Sequence, residues 1–205
     1  MTALKKFVDY YINNFKHESG LYFWYSDAAI GVDNDPCTFY RPEKSSASIY
    51  LNCFMYKELL AAAYLCKTFG MEEDEKRYTD EAERLKLAIR DKCWDERDGF
   101  YYSADLNLLP VDPEKPLHAG CPRHWNTLIQ RIDVWSGFLA MWAGIATKEQ
   151  ALRMVKHYLR ADTFYANFGV RTLGKSEKMY AIIKSGNPSC WLGPIWGISN
   201  YMVFK

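Results

Sequence analysis

Segments apolar on nearly every face alternate along this chain with segments apolar on one stripe, and that alternation restricts the folds open to it. Residues 2–15 carry Leu4, Phe7, Val8, Tyr11, Ile12 and Phe15 as a helical stripe with Lys and Asn opposite. A helix predicted from Ser45-Ser46 to Phe69, closed by Gly70, is apolar or small almost all round, with Ile49, Leu51, Cys53, Phe54, Met55 and Leu59. Residues 72–92 are highly charged, with Tyr78, Ala82, Leu85 and Ile89 as a narrow stripe. Residues 128–145 return to the apolar pattern through Ile132, Trp135, Phe138, Leu139, Met141, Trp142 and Ile145. Thr147-Lys148-Glu149-Gln150 is a capping box that starts a peripheral helix with Leu152, Val155 and Leu159 inward. The last helix is expected to begin near Trp191, to hold Pro194 in its first turn and to run apolar to Phe204.

A helix apolar all round is a buried one. Two concentric layers, outer then inner three times over, explain the order better than a simple bundle, in which every helix keeps a polar face. The expectation is an all-α single domain over residues 1–205. Long loops, at about 16–45, 106–126 and 161–190, precede the inner helices, and loops of this length are usually functional. They should gather at one end of the double layer and build a site from residues 22–48, 106–131 and 165–196. The last helix lacks a Gly or polar cap before Lys205, so the chain reads as cut in mid-fold.

Composition mainly excludes. A net charge of +1 provides no global field for nucleic acid or an anionic membrane. Aromatics reach 16%, with 7 Trp and 15 Tyr, which suits either a large core or stacking platforms for a flat ligand. The six cysteines contain no C-x-x-C pair, so free thiols in a reducing compartment are expected. The absence of a signal-peptide core or a membrane-length apolar run makes cytoplasmic the expected location. No phosphate loop, G-x-S-x-G or zinc signature occurs. His118, His124 and His157 lack metal-ligand spacing, and neither a metal nor a cofactor is expected.

The densest chemistry lies in Gly31-Val32-Asp33-Asn34-Asp35-Pro36 and the following Phe39-Tyr40-Arg41-Pro42. Asp27, Asp33 and Asp35 fit ordinary turn chemistry. The neighbours Trp24, Phe39, Tyr40 and Arg41 point instead to a ligand site, since solvated turns seldom need aromatics and an arginine. Trp191-Leu192-Gly193-Pro194-Ile195-Trp196 is the second dense stretch, and Trp191 lies outside the helical body as a lid or platform. Asp95 and Asp98 lack the alternating ligands of a calcium loop and read as a turn.

These pieces resemble glycoside hydrolase family 63 and the mannosylglycerate hydrolase-like group, relatives of the trehalases. The resemblance rests on Asp33-Asn34 in a Gly-x-Asp-Asn-x-Pro loop, Tyr40-Arg41-Pro42 and Ser48 through Asn52. It continues in Trp135-Ser136-Gly137-Phe138 with Trp142 through Thr147, in Phe168 through Leu173, and in Gly186-Asn187-Pro188 through Gly197. It implies a partial (α/α)6 toroid of about three outer/inner helix pairs, and an inverting α-glycosidase acting on glucosylglycerate, mannosylglycerate, trehalose or a similar small α-glucoside or α-mannoside. By the same resemblance Asp33 is the general acid, Gly31 shapes its loop, and Trp191 lines the sugar pocket. Trp24, Arg41 and Trp196 follow as further pocket residues.

Inversion needs two carboxyls roughly 6.5–9.5 Å apart, one protonating the leaving oxygen and one activating water. The resemblance puts the base beyond Lys205; within the chain only Glu177, in a charged run, and Asp133, in a helix, stand as candidates. This implies a fragment with little turnover alone, whose apolar flanks seek the remaining half of the toroid or a second copy. The alternative is a non-catalytic helical module that binds carbohydrate or protein through the same aromatic loops.

Overall fold

The structure is a computed structural model that describes residues 1–39, 41–108, 125–182 and 189–205. Tyr40, His118, Cys121, His124 and Gly186-Asn187-Pro188 fall outside the described residues.

The first three helices form where the pattern demands. Helix α1 (Thr2–Asn14), α2 (Ile49–Thr68) and α3 (Glu72–Lys92) pack together through α2. Ser48 stands just before α2 in extended conformation. At the other end Gly70, at φ +67°, closes the helix as a Schellman motif. Its amide donates to Lys67 O at 3.1 Å and that of Met71 to Cys66 O at 2.9 Å. Helix α3 opens on Glu72, Glu73, Asp74 and Glu75 and ends with Arg90 and Lys92, charges that complement its dipole. Its stripe of Tyr78, Ala82, Leu85 and Ile89 is fully buried.

Ser45-Ser46 do not open α2. Ser46–Ala47 form strand β1, which pairs antiparallel with β4 (Ser103–Asp105), and β4 pairs with β5 (Leu128–Gln130). The turn at 93–102 carries the hairpin of β2 (Trp94–Asp95) and β3 (Phe100–Tyr101). Asp95 accepts from the Asp98 amide there, as turn chemistry requires.

The stretch 128–145 departs from a single buried helix. After β5, Asp133 lies outside any helix, Val134 is extended and bridges Leu173, Trp135–Phe138 make one 3-10 turn, and α4 is only Leu139–Trp142. Two contacts impose this. The Trp135 amide donates to Thr172 O at 3.0 Å. Gly144, at φ +74°, ends α4, and the amides of Ile145 and Ala146 both return to Ala140 O.

Helix α5 (Lys148–Tyr158) starts at the Thr147–Gln150 capping box, with both reciprocal bonds formed. Its inward face is not the expected one: Met154 and His157 are buried, whereas Leu152, Val155 and Leu159 are exposed. The buried His157 lies on Phe100 and bonds Asp133, a tertiary pairing that outweighs the apolar stripe.

Helix α6 spans Gly197–Phe204 rather than starting near Trp191. Residues 191–196 are held out of the helix: the chain bends at Leu192 and Gly193, Pro194 O accepts from the Thr172 amide and hydroxyl, and Arg171 bridges Ile195. Pro194 therefore lies outside the helix. Before it, β6 (Tyr165–Ala166) and β7 (Gly169–Val170) form a hairpin that packs on α6.

Helices α2, α4 and α6 form a row, with α1 and α3 against α2 and α5 against β3. The three-stranded sheet joins the segments before α2 and α4, while the 172–194 contacts join those before α4 and α6. One end of the row thus gathers the loops. Among the described residues no helix is long and apolar enough to cross a membrane. Helix α1 exposes Phe7 and Tyr10, and α6 exposes Ile198, Tyr201 and Phe204.

Candidate active site

The loop that carries Asp33 is a sharp turn with a left-handed corner. Gly31 has φ +70° with nothing within 4 Å of a Cβ placed there, so glycine is needed for its backbone rather than for space. The Asp35 amide then donates to Val32 O at 3.0 Å, leaving Asp33 and Asn34 as the two central residues of a tight turn. Asp33 is exposed at its tip, while Asn34 is buried.

Asp35 is the desolvated carboxylate of the loop. It is 4% exposed, and burial pushes its pKa up to about 6 despite a hydrogen bond from the Cys37 amide at 2.8 Å. Asp35 O accepts from the amides of Thr38 and Phe39, so the residue organises the following turn. The Cys37 thiol is itself buried, and that burial together with the Asp35 charge raises its pKa.

An aromatic stack borders this loop. Trp191 lies face to face with Trp196, 4.2 Å between centroids at 10°, and with Trp135 at 6.1 Å and 23°. The Trp196 indole donates to Cys190 O at 2.7 Å, and the Trp191 amide donates to Asn34 Oδ1 at 2.7 Å. Trp191 is itself 6% exposed, a wall of the stack more than a free lid. With Val32, Asp35, Pro36, Val134, Trp135 and Thr172 it lines a narrow crevice.

Trp24 and Arg41 meet in a second niche, which they line with Thr38, Ser45 and Ser46. The Arg41 guanidinium pairs with Asp105 at 2.6 Å. Trp24 Nε1, Arg41 Nε and Ser46 Oγ are buried without a hydrogen-bond partner among the described residues. Of the six residues singled out by sequence, the structure therefore groups Trp24 with Arg41 and Trp191 with Trp196. Gly31 and Asp33 share the loop, and Asp33 lines neither the niche nor the crevice.

The two in-chain candidates for a second carboxyl share one cluster. Asp133 Oδ1 bonds His157 Nε2 at 2.9 Å and accepts from Tyr102 OH at 3.1 Å. Glu177 is half-buried rather than solvated: it accepts from the Asp133 amide at 2.8 Å, and burial raises its pKa against that bond. Asn34 and Asp35 escaped the sequence-level assignment although both stand in the Asp-Asn loop. Only spatial proximity to Trp191 distinguishes their roles. Among the described residues no cluster of His, Cys, Asp or Glu is placed to hold a metal ion.

Comparison with known proteins adds a family. Residues 4–205 match the family described as the mannosylglycerate hydrolase MGH1-like glycoside hydrolase domain. A cytosolic neutral trehalase of Kluyveromyces lactis is 31% identical over 170 residues, covering 77% of this chain and 20% of that protein. Among solved structures, a sialidase superposes with a TM-score of 0.78 at 16% identity, over 98% of this chain and 16% of its own. A family 63 mannosylglycerate hydrolase from Thermus thermophilus, in complex with glucose, superposes with a TM-score of 0.55 at 20% identity, over 80% of this chain and 33% of its own. The chain thus spans about a fifth of the curated relative it matches. The helical row, with its outer partners, is part of an (α/α)6 toroid.

Proposed function

The chain belongs to the mannosylglycerate hydrolase MGH1-like glycoside hydrolase family, and on that premise we propose that it forms the acid-bearing part of an inverting α-glycosidase, cytoplasmic like the related trehalase. Its substrate is a small α-glucoside or α-mannoside such as trehalose, mannosylglycerate or glucosylglycerate. Asp33 protonates the leaving glycosidic oxygen. Gly31 sets the turn that presents it, and Trp191, buried beneath Trp196, backs the pocket wall whose half-buried Trp196 ring meets the apolar face of a sugar. Trp24 and Arg41 offer buried N–H donors to substrate hydroxyls.

The observation that carries this reading is the turn itself. It exposes one carboxyl at its tip and ties its next residue to the aromatic stack. The base is proposed to come from outside these 205 residues. Supporting this, Asp133 and Glu177 are already engaged with His157, Tyr102 and the Asp133 backbone.

The test is hydrolysis of trehalose, mannosylglycerate and glucosylglycerate, with the anomer first formed read by NMR. The present chain is expected to turn over none of them. A longer chain containing it should release the inverted anomer and lose about 10²–10⁴-fold in rate on Asp33→Asn. Hydrolysis unaffected by Asp33→Asn would overturn the acid assignment. Strong hydrolysis by the 205 residues alone would overturn the external base. Sugar binding lost on Trp191→Ala, with no hydrolysis in a chain of any length, would favour a binding module.

A further inference from the structure

We infer that Asn34 is a positioning residue that ties the acid-bearing turn to the Trp191 platform; the inference rests on the reading of Asp33 as the acid. Asn34 is 3% exposed and follows Asp33 directly. Its amide oxygen accepts the Trp191 N–H at 2.7 Å, and its amide nitrogen approaches Cys190 Sγ at 3.9 Å. Each end of this link is held by further hydrogen bonds. On one side the turn is closed by the Val32–Asp35 bond and continued by the amides that Asp35 O receives. On the other, Gly193 N donates to Thr172 Oγ1 at 3.1 Å and Ala181 N to Leu192 O at 2.7 Å. The Trp191 indole is fixed by its stack on Trp196 and Trp135.

A catalytic acid is effective only when the sugar it protonates is held in fixed geometry, and a misplacement of about 1 Å costs roughly 10²-fold. Asp33 and Trp191 lie on loops separated by most of the chain, so their mutual geometry has to be set by a contact between those loops. Asn34 supplies it one residue from the acid and on the backbone of the platform itself. Asparagine suits the position because its oxygen accepts the amide without placing a further charge between Asp33 and the buried Asp35.

Amide hydrogen exchange tests the link without requiring turnover. Asn34→Leu, close in shape but unable to accept, is expected to speed exchange of the Trp191 amide by roughly 10-fold or more, with faster exchange also across residues 32–38. Amides in α2 and α3 should keep their rates. Asn34→Asp retains the acceptor and should restore slow exchange at Trp191. If Asn34→Leu does not fold, the NMR coupling across the hydrogen bond from the Trp191 nitrogen to the Asn34 side-chain carbonyl carbon reads the link in the unaltered chain. Unchanged exchange in Asn34→Leu, a uniform rise across all helices, failure of Asn34→Asp to restore it, or absence of the coupling would overturn the proposal. Asp33 is exposed, so Asp33→Asn is expected to leave the exchange pattern intact, and a failed acid assignment shows itself in hydrolysis and not here.

Discussion

The indoles of Trp191 and Trp196 lie parallel, 4.2 Å apart between centroids and tilted by 10°. They stand five positions apart, and the bend at Leu192 and Gly193 folds Trp191 back onto Trp196, the N-cap residue of α6. Rings this close couple their electronic transitions. A circular dichroism couplet is expected, lost in Trp196→Leu and kept in Trp24→Leu, whose ring belongs to the other niche. Trp191→Ala, which empties a buried site between two rings, should cost about 3–5 kcal/mol in urea unfolding.

Asn52 works as a backbone clamp. It is fully buried, accepts the Tyr22 amide at 2.8 Å, and donates to Tyr22 O at 2.9 Å and Ser48 O at 2.8 Å. Asn52→Leu keeps the volume and leaves the Tyr22 amide and carbonyl unpaired, at about 1–3 kcal/mol each. The urea midpoint should fall correspondingly with the slope unchanged.

Two carboxyls bend the stability profile in opposite directions. Asp35 titrates at about 6 in the fold, above its ordinary 3.8, because it is buried. The folded state therefore holds this proton more tightly than the unfolded chain. Its stabilising contribution is full below about pH 4 and is lost as the pH rises through about 6. Asp35→Asn, which still accepts from the Cys37 amide, should flatten this limb and raise stability at neutral pH by at most about 3 kcal/mol. At Glu81 burial alone would raise the pKa, but hydrogen bonds from Lys16, Tyr22 and Arg84 together hold it below the ordinary value. Its contribution is present above the ordinary carboxylate range and lost on acidification, so Glu81→Gln should weaken the fold at neutral pH and shrink its acid sensitivity. Melting temperature against pH checks both signs.

Gly137 admits no side chain. A Cβ there would fall 2.4 Å from Tyr101 O and from the Phe100 ring. The carbonyl belongs to a paired strand and the ring to the core, so neither can move cheaply. Gly137→Ala should destabilise by about 1–3 kcal/mol or more and disturb the neighbouring Trp135, which the indole couplet also reports.

Periodicity read most helices well and failed where pairing partners were remote. The stripes of α1 and α3, the apolar sweep of α2 and the caps at Gly70 and Thr147 are local properties, set by side chains within a few turns of each other. The apolar run 128–145 looks equally helical, because burial alone does not distinguish a buried helix from a buried extended segment. The bridge of Val134 to Leu173 and the bond from the Trp135 amide to Thr172 O keep the chain out of a helix until Trp135. On α5 two faces competed, and the Asp133–His157 bond turned the less apolar one inward.

The site divides in the same way. Sequence by itself determined that carboxylates, a glycine and aromatics occupy the loops before the inner helices. Only the tertiary structure decided which carboxyl is desolvated, with Asp35 buried and Asp33 exposed, because burial depends on what a turn packs against. It also joined Asn34 to Trp191. A hydrogen bond between loops so distant along the chain leaves no local periodic trace; it exists because the helical row brings their ends together.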